Sequence, residues 1–351
     1  MIGERLAAQL LSGSPASTTE DVVRRLLAVQ AQDPRGARLT IRTRSTGLSA
    51  ADVDAALTDR RSLLITWVNR GTLHLVTAED YWWLHPVTTP QLVTVNAHRL
   101  GQEGVSAAQA DRGVEMVAEA VAEGPRTRAV LRARLEAAAV PTRGQALVHV
   151  LMAATLRGHV VRGPMIGGDH AFVSVRDWLG DAPAPLERDA AMARLAHRYL
   201  AGHGPADARD LAKWAGITLG DARRGFAGLA EELRQRDDGL VDLAGRVGPP
   251  PPPPRLPKPR LLGPFDPILH GWASREPFVG RHQGVVTSNG LFRPVALVDG
   301  RVVATWGLAD GTVTIRLLEQ ITPAALRALR TDAEDVLRFL GLPPRPAVTA
   351  P

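Results

Sequence analysis

The sequence of 351 residues contains no cysteine, and only two of its 42 basic residues are lysine. The absence of cysteine excludes disulfides, a thiolate nucleophile and a cysteine-ligated zinc site. No uncharged apolar run approaches the roughly 20 residues that a membrane-spanning helix needs. The first residues, MIGERLAAQLL, carry charges inside a short apolar segment and lack the cleavage site of a secretory signal. We therefore expect a cytoplasmic protein with no membrane partner.

The usual sequence signatures of enzymes are also missing. The chain has no glycine-rich phosphate loop, no dinucleotide fingerprint after a strand, no HExxH and no G-x-S-x-G motif. Its ten histidines are scattered. The acidic residues fall on polar helix faces, where solvent-exposed salt bridges are the expected state. We expect no metal and no organic cofactor.

Positive charge exceeds negative charge, with 42 basic against 36 acidic residues and a formal net charge of +6. Such an excess favours an anionic partner, and nucleic acid is the foremost candidate. GC-rich coding also enriches arginine, so charge alone does not identify the partner.

The length and the pattern of elements predict an α+β protein of several modules. Helical segments in the first 60 residues are followed by LLITWVNRGTLHLVT, two β-branched runs around the compact turn Asn69-Arg70-Gly71. Helices followed by a β-hairpin are typical of a winged helix, and the pattern recurs twice, with a reduced wing at the third occurrence. We predict three tandem winged-helix (helix-turn-helix) modules over 1–108, 109–185 and 186–247.

The C-terminal third has a different composition. Six consecutive prolines at 249–254 predict an extended proline-rich linker over 248–260. Three two-residue hairpin signals follow: Asn289-Gly290, Asp299-Gly300 and Asp310-Gly311. We predict an antiparallel β-barrel-like domain over 261–351, ending in a helix capped by Thr322 with Pro323 at its first position.

Two glutamines stand out in LLAVQAQDPRG, residues 26–36. The preceding helix opens with the capping box Ser17-Thr18-Thr19-Glu20. Its apolar stripe continues at four-residue steps, and the next position of that stripe is Gln30. A carboxamide therefore takes a core-facing position, and Gln32 follows two residues later.

The residues after the glutamines predict where the helix ends. Asp33 precedes Pro34 and is pushed toward an extended conformation, with Gly36 placed to relieve the turn. If the chain is already extended at Ala31, the two glutamine side chains share one face. The alternative is that the first glutamine satisfies carbonyls at the helix end while the second is exposed to solvent.

Five blocks follow one another along most of the chain: VQAQDPRG, TWVNRGTLHLV, GPADARDLAKWAGI, LLGPFDPILHGW and NGLFRPVALVDGRVVATW. In this order they resemble the AlkZ family of bacterial DNA glycosylases. The resemblance implies three tandem winged helices and a C-terminal β-barrel arranged as a C around duplex DNA. The chain departs from the family at Gly263, where proline is expected, and at His270, which replaces an apolar residue.

The resemblance also implies an activity. Members of the family hydrolyse the N-glycosidic bond of bulky N7-alkylated purines in double-stranded DNA, interstrand crosslinks included, in DNA repair or toxin self-resistance. Their catalytic motif is Gln-x-Gln in one branch and Gln-x-Asp in its sibling, and Gln30-Ala31-Gln32 matches the first. The resemblance therefore makes Gln30 and Gln32 the candidate catalytic residues.

Glutamine is an unusual choice, because glycosidases normally use a carboxylic acid and a carboxylate. An N7-alkylated purine already carries a positive charge, so it leaves as a neutral base without a general acid. What remains is to position water and to stabilise positive charge on the deoxyribose, and fixed carboxamide dipoles can do both. The scarcity of lysine favours a monofunctional enzyme, since no obvious amine is present for a Schiff base.

A second group of candidates lies in and after the first hairpin. Arg70 at its turn is a reasonable phosphate contact, and the match to the family's RGTLH block gives His74 a DNA-facing role. The alternative for His74 is an ordinary strand histidine bonded to a neighbour. In the β domain, Arg293 and Arg301 are candidate DNA contacts, the latter at a hairpin tip that could enter a groove.

The rival hypothesis is a non-catalytic winged-helix DNA-binding protein, such as a transcriptional regulator. A regulator needs no polar pair in place of a buried apolar stripe, and it usually has a dimerisation segment, which the sequence does not show. We therefore expect a monomeric enzyme that acts on the nucleoid in the cytoplasm.

Overall fold

The structure is a computed structural model that describes residues 1–246 and 258–350. The proline run at 249–254, and with it most of the predicted linker, lies outside these residues. The helices are, in chain order, α1 (Ile2–Ala8), α2 (Thr19–Leu26), α3 (Pro34–Arg44), α4 (Ala50–Thr58), α5 (Ala78–Thr88), α6 (Pro90–Gln102), α7 (Ala107–Ala122), α8 (Arg128–Ala137), α9 (Ala146–Leu156), α10 (Val175–Leu179), α11 (Arg188–His203), α12 (Ala208–Ala215), α13 (Leu219–Ala227), α14 (Glu276–Val279) and α15 (Pro323–Phe339). The strands are β1 (Val29–Gln30), β2 (Leu63–Val68), β3 (Thr72–Thr77), β4 (Val160–Ile166), β5 (Asp169–Ser174), β6 (Leu233–Gln235), β7 (Val241–Leu243), β8 (Arg260–Leu262), β9 (Val295–Val298), β10 (Arg301–Ala309), β11 (Thr312–Leu317) and β12 (Val348–Ala350).

The chain folds as two compact units, each made of separate stretches of sequence. The first unit contains Met1–Val53, Met192–Trp214 and the chain from Thr218 onward, and the second contains Asp54–Ala191 and Ala215–Ile217. Within the described ranges, no helix has both the length and the apolar character needed to cross a membrane.

In the first unit, helix α2 ends earlier than the sequence pattern predicts. It begins after Thr18, whose hydroxyl accepts a hydrogen bond from the Asp21 backbone N–H at 3.1 Å. It ends at Leu26, because Leu27 adopts a positive φ of 65° that an α-helix cannot continue through. The predicted continuation of the helix to Gln30 is therefore wrong. Gln30 lies in the extended β1 instead, yet it is buried, as the apolar stripe predicts.

The segment after the glutamines starts a helix that was not predicted. Asp33 is extended, as a residue before proline should be, and its carboxylate accepts the Gly36 backbone N–H at 2.7 Å. It is thus the N-cap of α3, with Pro34 at the first helical position. Gly36 lies inside the first turn of α3, so its predicted role of relieving a turn is wrong.

The C-terminal part of the first unit is a five-stranded sheet in the order β12-β11-β10-β9-β8. Neighbouring strands are antiparallel except β11 and β12, which are parallel. Asp299-Gly300 and Asp310-Gly311 form the predicted tight hairpins, with all four residues at positive φ. Among the described strands the sheet is open, and no closed barrel is found. Helix α15 follows with Thr322 as its N-cap and Pro323 at its first turn, as predicted.

The first unit also contains a small two-stranded ribbon where the sequence predicts a reduced wing. Strands β6 and β7 are antiparallel, and the register pairs Leu233 with Leu243. Helices α11, α12 and α13 precede them in the chain.

The second unit contains both longer predicted hairpins. Strands β2 and β3 are antiparallel, with Thr66 opposite His74, and β4 and β5 are antiparallel around Gly167-Gly168. The four strands lie side by side in the order β3-β2-β4-β5. Helices α5 to α10 belong to the same unit.

Candidate active site

The two glutamines lie in a short non-helical segment between α2 and α3. The Gln30 side chain belongs to the core at 5% exposure, whereas Gln32 is exposed and lies in a bend. The intervening Ala31 is buried and is not helical. The segment therefore carries one buried carboxamide, that of Gln30, and one exposed carboxamide, that of Gln32. That their side chains share one face stays a prediction.

A close backbone contact holds the start of α3 and therefore the end of the glutamine segment. A Cβ added at Gly36 would overlap the carbonyl oxygen of Pro264, and one added at Gly263 would lie 2.9 Å from the Leu39 Cβ. Both distances are shorter than real Cβ contacts allow. The departure from the family at Gly263 thus has a steric reason in this chain, because there is no room for a ring or a methyl group.

The other end of α3 is fixed by a buried ion pair. The two terminal nitrogens of Arg44 donate to the two carboxylate oxygens of Asp266, each at 2.8 Å, and both side chains are fully buried. Gln9 accepts a further bond from Arg44 at 3.1 Å, and Asp266 also accepts the Ile268 backbone N–H. Asp266 belongs to the LLGPFDPILHGW block, whose role here is to hold the helix that follows the glutamines.

A second buried network holds the same helix. Arg42 donates to Asp332 at 2.9 Å, to Asp335 at 2.9 Å and to the Leu261 carbonyl at 2.6 Å, and Arg260 also donates to Asp332 at 2.8 Å. Burial alone raises the pKa of Asp332, but the charges of Arg42 and Arg260 and the hydrogen bonds from Arg42 and the Leu261 N–H together outweigh it and hold the pKa below its usual value. The expectation that acidic residues form only solvent-exposed salt bridges is therefore wrong for Asp332 and Asp266.

In the second unit, the first hairpin carries the candidates Arg70 and His74. His74 is 1% exposed, and its Nδ1–H donates to the Thr72 carbonyl at 2.9 Å. Burial, followed by the charge of Arg70, lowers the pKa of His74 to about 3. Its imidazole is therefore neutral at physiological pH, which agrees with a strand histidine bonded to a neighbour. Arg70 is half-buried, and burial lowers its pKa.

Several polar atoms of this hairpin have no partner. Within the part of the chain that the structure describes, the side-chain nitrogen and oxygen of Asn69 and the hydroxyls of Thr66 and Thr72 make no hydrogen bond. Asn69 is completely buried, and Thr66 is 1% exposed. Leaving a buried polar group unpaired costs about 1–3 kcal/mol, so these groups differ from ordinary core packing, in which buried polar atoms are paired. The sequence signal for these groups is the turn Asn69-Arg70-Gly71-Thr72.

The two arginines proposed in the β domain are exposed. Arg301 donates weakly to the Pro277 carbonyl at 3.4 Å. The hairpin tip beside it does not project freely, because Gly300 is buried and a Cβ there would lie 2.6 Å from the Leu6 Cδ1 of α1. DNA contact by Arg293 or Arg301 stays a prediction.

Comparison with known proteins decides the family. The family model described as DNA glycosylase AlkZ-like matches residues 23–339, a range that includes the glutamine segment, α3 and most of the C-terminal sheet. The chain belongs to the AlkZ-like family of DNA glycosylases. The family predicted from the five sequence blocks is thereby confirmed.

Two comparisons, one with curated proteins and one with solved structures, relate this AlkZ-like protein to Streptomyces sahachiroi. The chain is 27% identical over 371 aligned positions to an interstrand DNA cross-link repair glycosylase, covering 96% of this chain and 95% of the relative. A solved structure of the DNA glycosylase AlkZ from the same organism matches with a TM-score of 0.79 and 24% identity, covering 99% and 98% of the two chains. The predicted mixed α and β fold is confirmed.

In this AlkZ-like protein, Gly36→Ala is expected to lower the free energy of unfolding by about 1–3 kcal/mol. The added methyl group meets the rigid backbone at Pro264 rather than the end of a flexible side chain. Thermal denaturation followed by circular dichroism measures the effect. Gly101→Ala is the matched control, because it lies in α6 with open space around it and should be neutral or stabilising. Equal midpoints for the two variants would contradict the close contact.

The buried histidines predict a loss of stability in mild acid. Burial lowers the pKa of His74 to about 3 and that of His85 to about 4, whereas unfolded histidine titrates near 6.5. The unfolded chain therefore binds more protons below pH 6.5, so stability is complete above that pH and falls as the pH drops toward the folded values. Each histidine should cost about 2 kcal/mol at pH 5.

The thermal midpoint at pH 7 and at pH 5 measures this effect. His85→Gln should reduce the difference between the two midpoints, whereas His98→Gln, at an exposed position, should leave it unchanged. If the His85 variant keeps the full pH sensitivity of the wild type, burial of that imidazole is not its source.

Proposed function

We propose that this protein is a monofunctional DNA glycosylase that hydrolyses the N-glycosidic bond of bulky N7-alkylated purines in double-stranded DNA. The observation that carries the proposal is the glutamine segment. In a chain of a glycosylase family, a buried carboxamide and an exposed carboxamide two residues apart lie where α2 has ended early. The name of the Streptomyces sahachiroi relative supports extending the substrates to interstrand crosslinks.

The reaction needs little from the protein because the substrate is already charged. Water attacks C1′ of the deoxyribose, the C1′–N9 bond breaks, and its electron pair neutralises the cationic purine, which leaves as a neutral base. The proton lost by the water passes to solvent, and the sugar keeps the new hydroxyl. The transition state carries positive charge on the sugar, so oriented carboxamide oxygens stabilise it without titrating.

The different burial of the two glutamines suggests a different role for each. The carboxamide of Gln30 is held in place by the core, so it can act as the fixed dipole that faces the developing sugar cation. The carboxamide of Gln32 is exposed and can hold the attacking water once DNA covers the segment. Asp33 Oδ1 caps α3 by accepting the Gly36 backbone N–H.

The lysines support hydrolysis rather than a Schiff base. Lys213 and Lys258 are the lysines of the chain, and both are exposed. An amine nucleophile needs a lowered pKa, which comes from desolvation or a neighbouring cation in an enclosed site. A solvent-exposed lysine has no such environment.

We also propose that the three helix-and-hairpin segments are winged-helix modules over 1–108, 109–185 and 186–247, and that the enzyme acts as a monomer on chromosomal DNA in the cytoplasm. Support for the modules comes from the order of elements. Hairpin β2–β3 follows α4, hairpin β4–β5 follows α9, and ribbon β6–β7 follows α13.

Release of base from a duplex containing one N7-methylguanine tests the proposal. The wild type should release free N7-methylguanine and leave an alkali-labile site, while an undamaged duplex of the same sequence should stay intact. A protein that binds both duplexes and releases no base would be a non-catalytic DNA-binding protein, and the proposal would be wrong.

A further inference from the structure

Arg162, in strand β4 of the second unit, is held between two aromatic rings. Its Cζ lies 4.8 Å from the centre of the Trp67 ring and 4.8 Å from that of Phe172. The register explains the arrangement, since Arg162 pairs with Ile65 on one side and with Phe172 on the other, and Trp67 shares the face of Ile65. Stacking on two rings fixes the plane of the guanidinium.

Within the described residues, no carboxylate is in ion-pair contact with this guanidinium; Asp169 acts on it only through its charge. The Arg162 side chain makes no hydrogen bond and no ion pair with another residue in the described ranges, and its Nε is buried without a partner. The buried Arg42 and Arg44, by contrast, each hold a buried aspartate. Burial, followed by the charge of Arg128, lowers the pKa of Arg162 to about 10, and the charge of Asp169 offsets only part of this effect. The guanidinium is therefore still charged at neutral pH. An unpaired, partly buried charge is costly unless an anion supplied from outside compensates it.

A second cation and a helix N-terminus lie next to Arg162. Phe172, its cross-strand neighbour, exchanges two backbone hydrogen bonds with Arg126, at 2.9 and 2.8 Å. Helix α8 begins two residues later, where Thr127 is the N-cap and Arg128 is the exposed first residue. Arginine fork geometry and the positive end of a helix both suit the oxygens of a phosphate.

We propose that Arg162 and Arg128 bind a backbone phosphate of duplex DNA, at a site separate in the sequence from the glutamine segment. The anionic character of the ligand follows from the unpaired guanidinium. Its identity as DNA rests on the proposed function. The Trp67 and Phe172 rings already restrict the Arg162 side chain before DNA binds, so little side-chain entropy is lost on binding.

Salt-dependent binding of an unmodified fluorescent duplex tests the proposal. Between about 50 and 200 mM salt, Arg162→Gln should lower the affinity about tenfold at the low end and make the slope of log K against log salt shallower by about 0.9. Arg157→Gln is the control, because it removes the same charge from an exposed pair with Asp111 and should change neither quantity. An unchanged affinity and slope in a folded Arg162→Gln protein would overturn the proposal, as would a wild type that does not bind duplex DNA.

A second measurement on the wild type guards against a variant that fails to fold. The Nε–H resonance of Arg162, followed by NMR, should shift on addition of the duplex and much less on addition of inorganic phosphate at equal phosphate concentration. No shift with DNA overturns the site, and an equal shift with free phosphate overturns DNA as its ligand. Base release from an alkylated duplex is measured separately, so a protein that binds through Arg162 but releases no base would refute the proposed function and leave this site standing.

Discussion

Gln30→Ala is expected to lower the single-turnover rate of N7-methylguanine excision by a factor of about 10² to 10³. The side chain is 5% exposed, so its dipole is held by the core before the substrate arrives. Removing such a preorganised group costs transition-state stabilisation and leaves ground-state DNA binding nearly intact. Quenched time points with enzyme in excess over an N7-methylguanine duplex measure the rate, and anisotropy with the same duplex measures the affinity.

Gln32 and a distant glutamine provide the comparisons. Gln32→Asp should keep excision within about tenfold of the wild-type rate, because a carboxylate can hold or activate the same water, and the sibling branch of the family has Asp at this position. Gln283→Ala removes an exposed glutamine bonded to the Gly280 carbonyl and should excise at the wild-type rate. A Gln30→Ala protein with wild-type kinetics would remove the fixed dipole from the mechanism.

Asp266→Asn is expected to lower the free energy of unfolding by about 3–5 kcal/mol. The change leaves the guanidinium of Arg44 fully buried beside a neutral amide, although it preserves the size of the side chain. Because Arg44 ends α3, excision should fall as well, through loss of the folded first unit. Urea denaturation followed by tryptophan fluorescence measures the stability.

Two further variants distinguish the effect of breaking a buried ion pair from the effect of removing any charge. Asp111→Asn breaks an exposed pair with Arg157 and should cost about 0–1 kcal/mol. Exchanging both partners, as Arg44→Met with Asp266→Leu, should recover part of the loss, because no buried charge then lacks a partner. If Asp266→Asn is no less stable than Asp111→Asn, the ion pair does not hold α3.

Elements that depend on nearby residues were predictable from the sequence. Asp299-Gly300 and Asp310-Gly311 adopt positive φ where two-residue hairpins require it. Thr322 followed by Pro323 starts α15. Helix α3 also has a local signal, since Asp33 before Pro34 is an N-cap followed by proline at the first position. The same residues therefore mark the end of one helix and the start of the next.

Contacts between distant parts of the chain were not predictable. Arg44 and Asp266 are 222 positions apart, and Arg42 and Asp332 are 290 apart. No pattern of charge or periodicity in a single sequence shows that such distant residues pair. From the sequence, these arginines and aspartates are therefore expected at the surface. The same holds for Gly36 and Gly263, whose need for glycine comes from the approach of two backbone segments.

In the candidate site, too, some features were predictable from nearby residues and others were not. The pair Gln30 and Gln32 was recognisable from the sequence for two reasons. Gln30 takes the next position of an apolar helical stripe, and the pair matches the Gln-x-Gln motif of the family. The end of α2 at Leu26 was not recognisable from the sequence. It depends on the positive φ of Leu27, and leucine, unlike glycine or asparagine, is not a residue for which positive φ is expected. The partnerless amide of Asn69 and the stacked guanidinium of Arg162 appear only once the strands pair.

In the proposed reaction, two neutral carboxamides suffice because the departing base is already cationic. The most direct measurement compares excision of N7-methylguanine with excision of 7-methyl-7-deazaguanine, a base of the same shape without the charge, each expressed relative to its spontaneous rate in the same duplex. We expect acceleration for the cationic base and none for the neutral one at equal binding. Comparable acceleration of both bases would mean that the protein protonates the leaving group, which glutamine cannot do, and the two glutamines would then not be sufficient for the reaction.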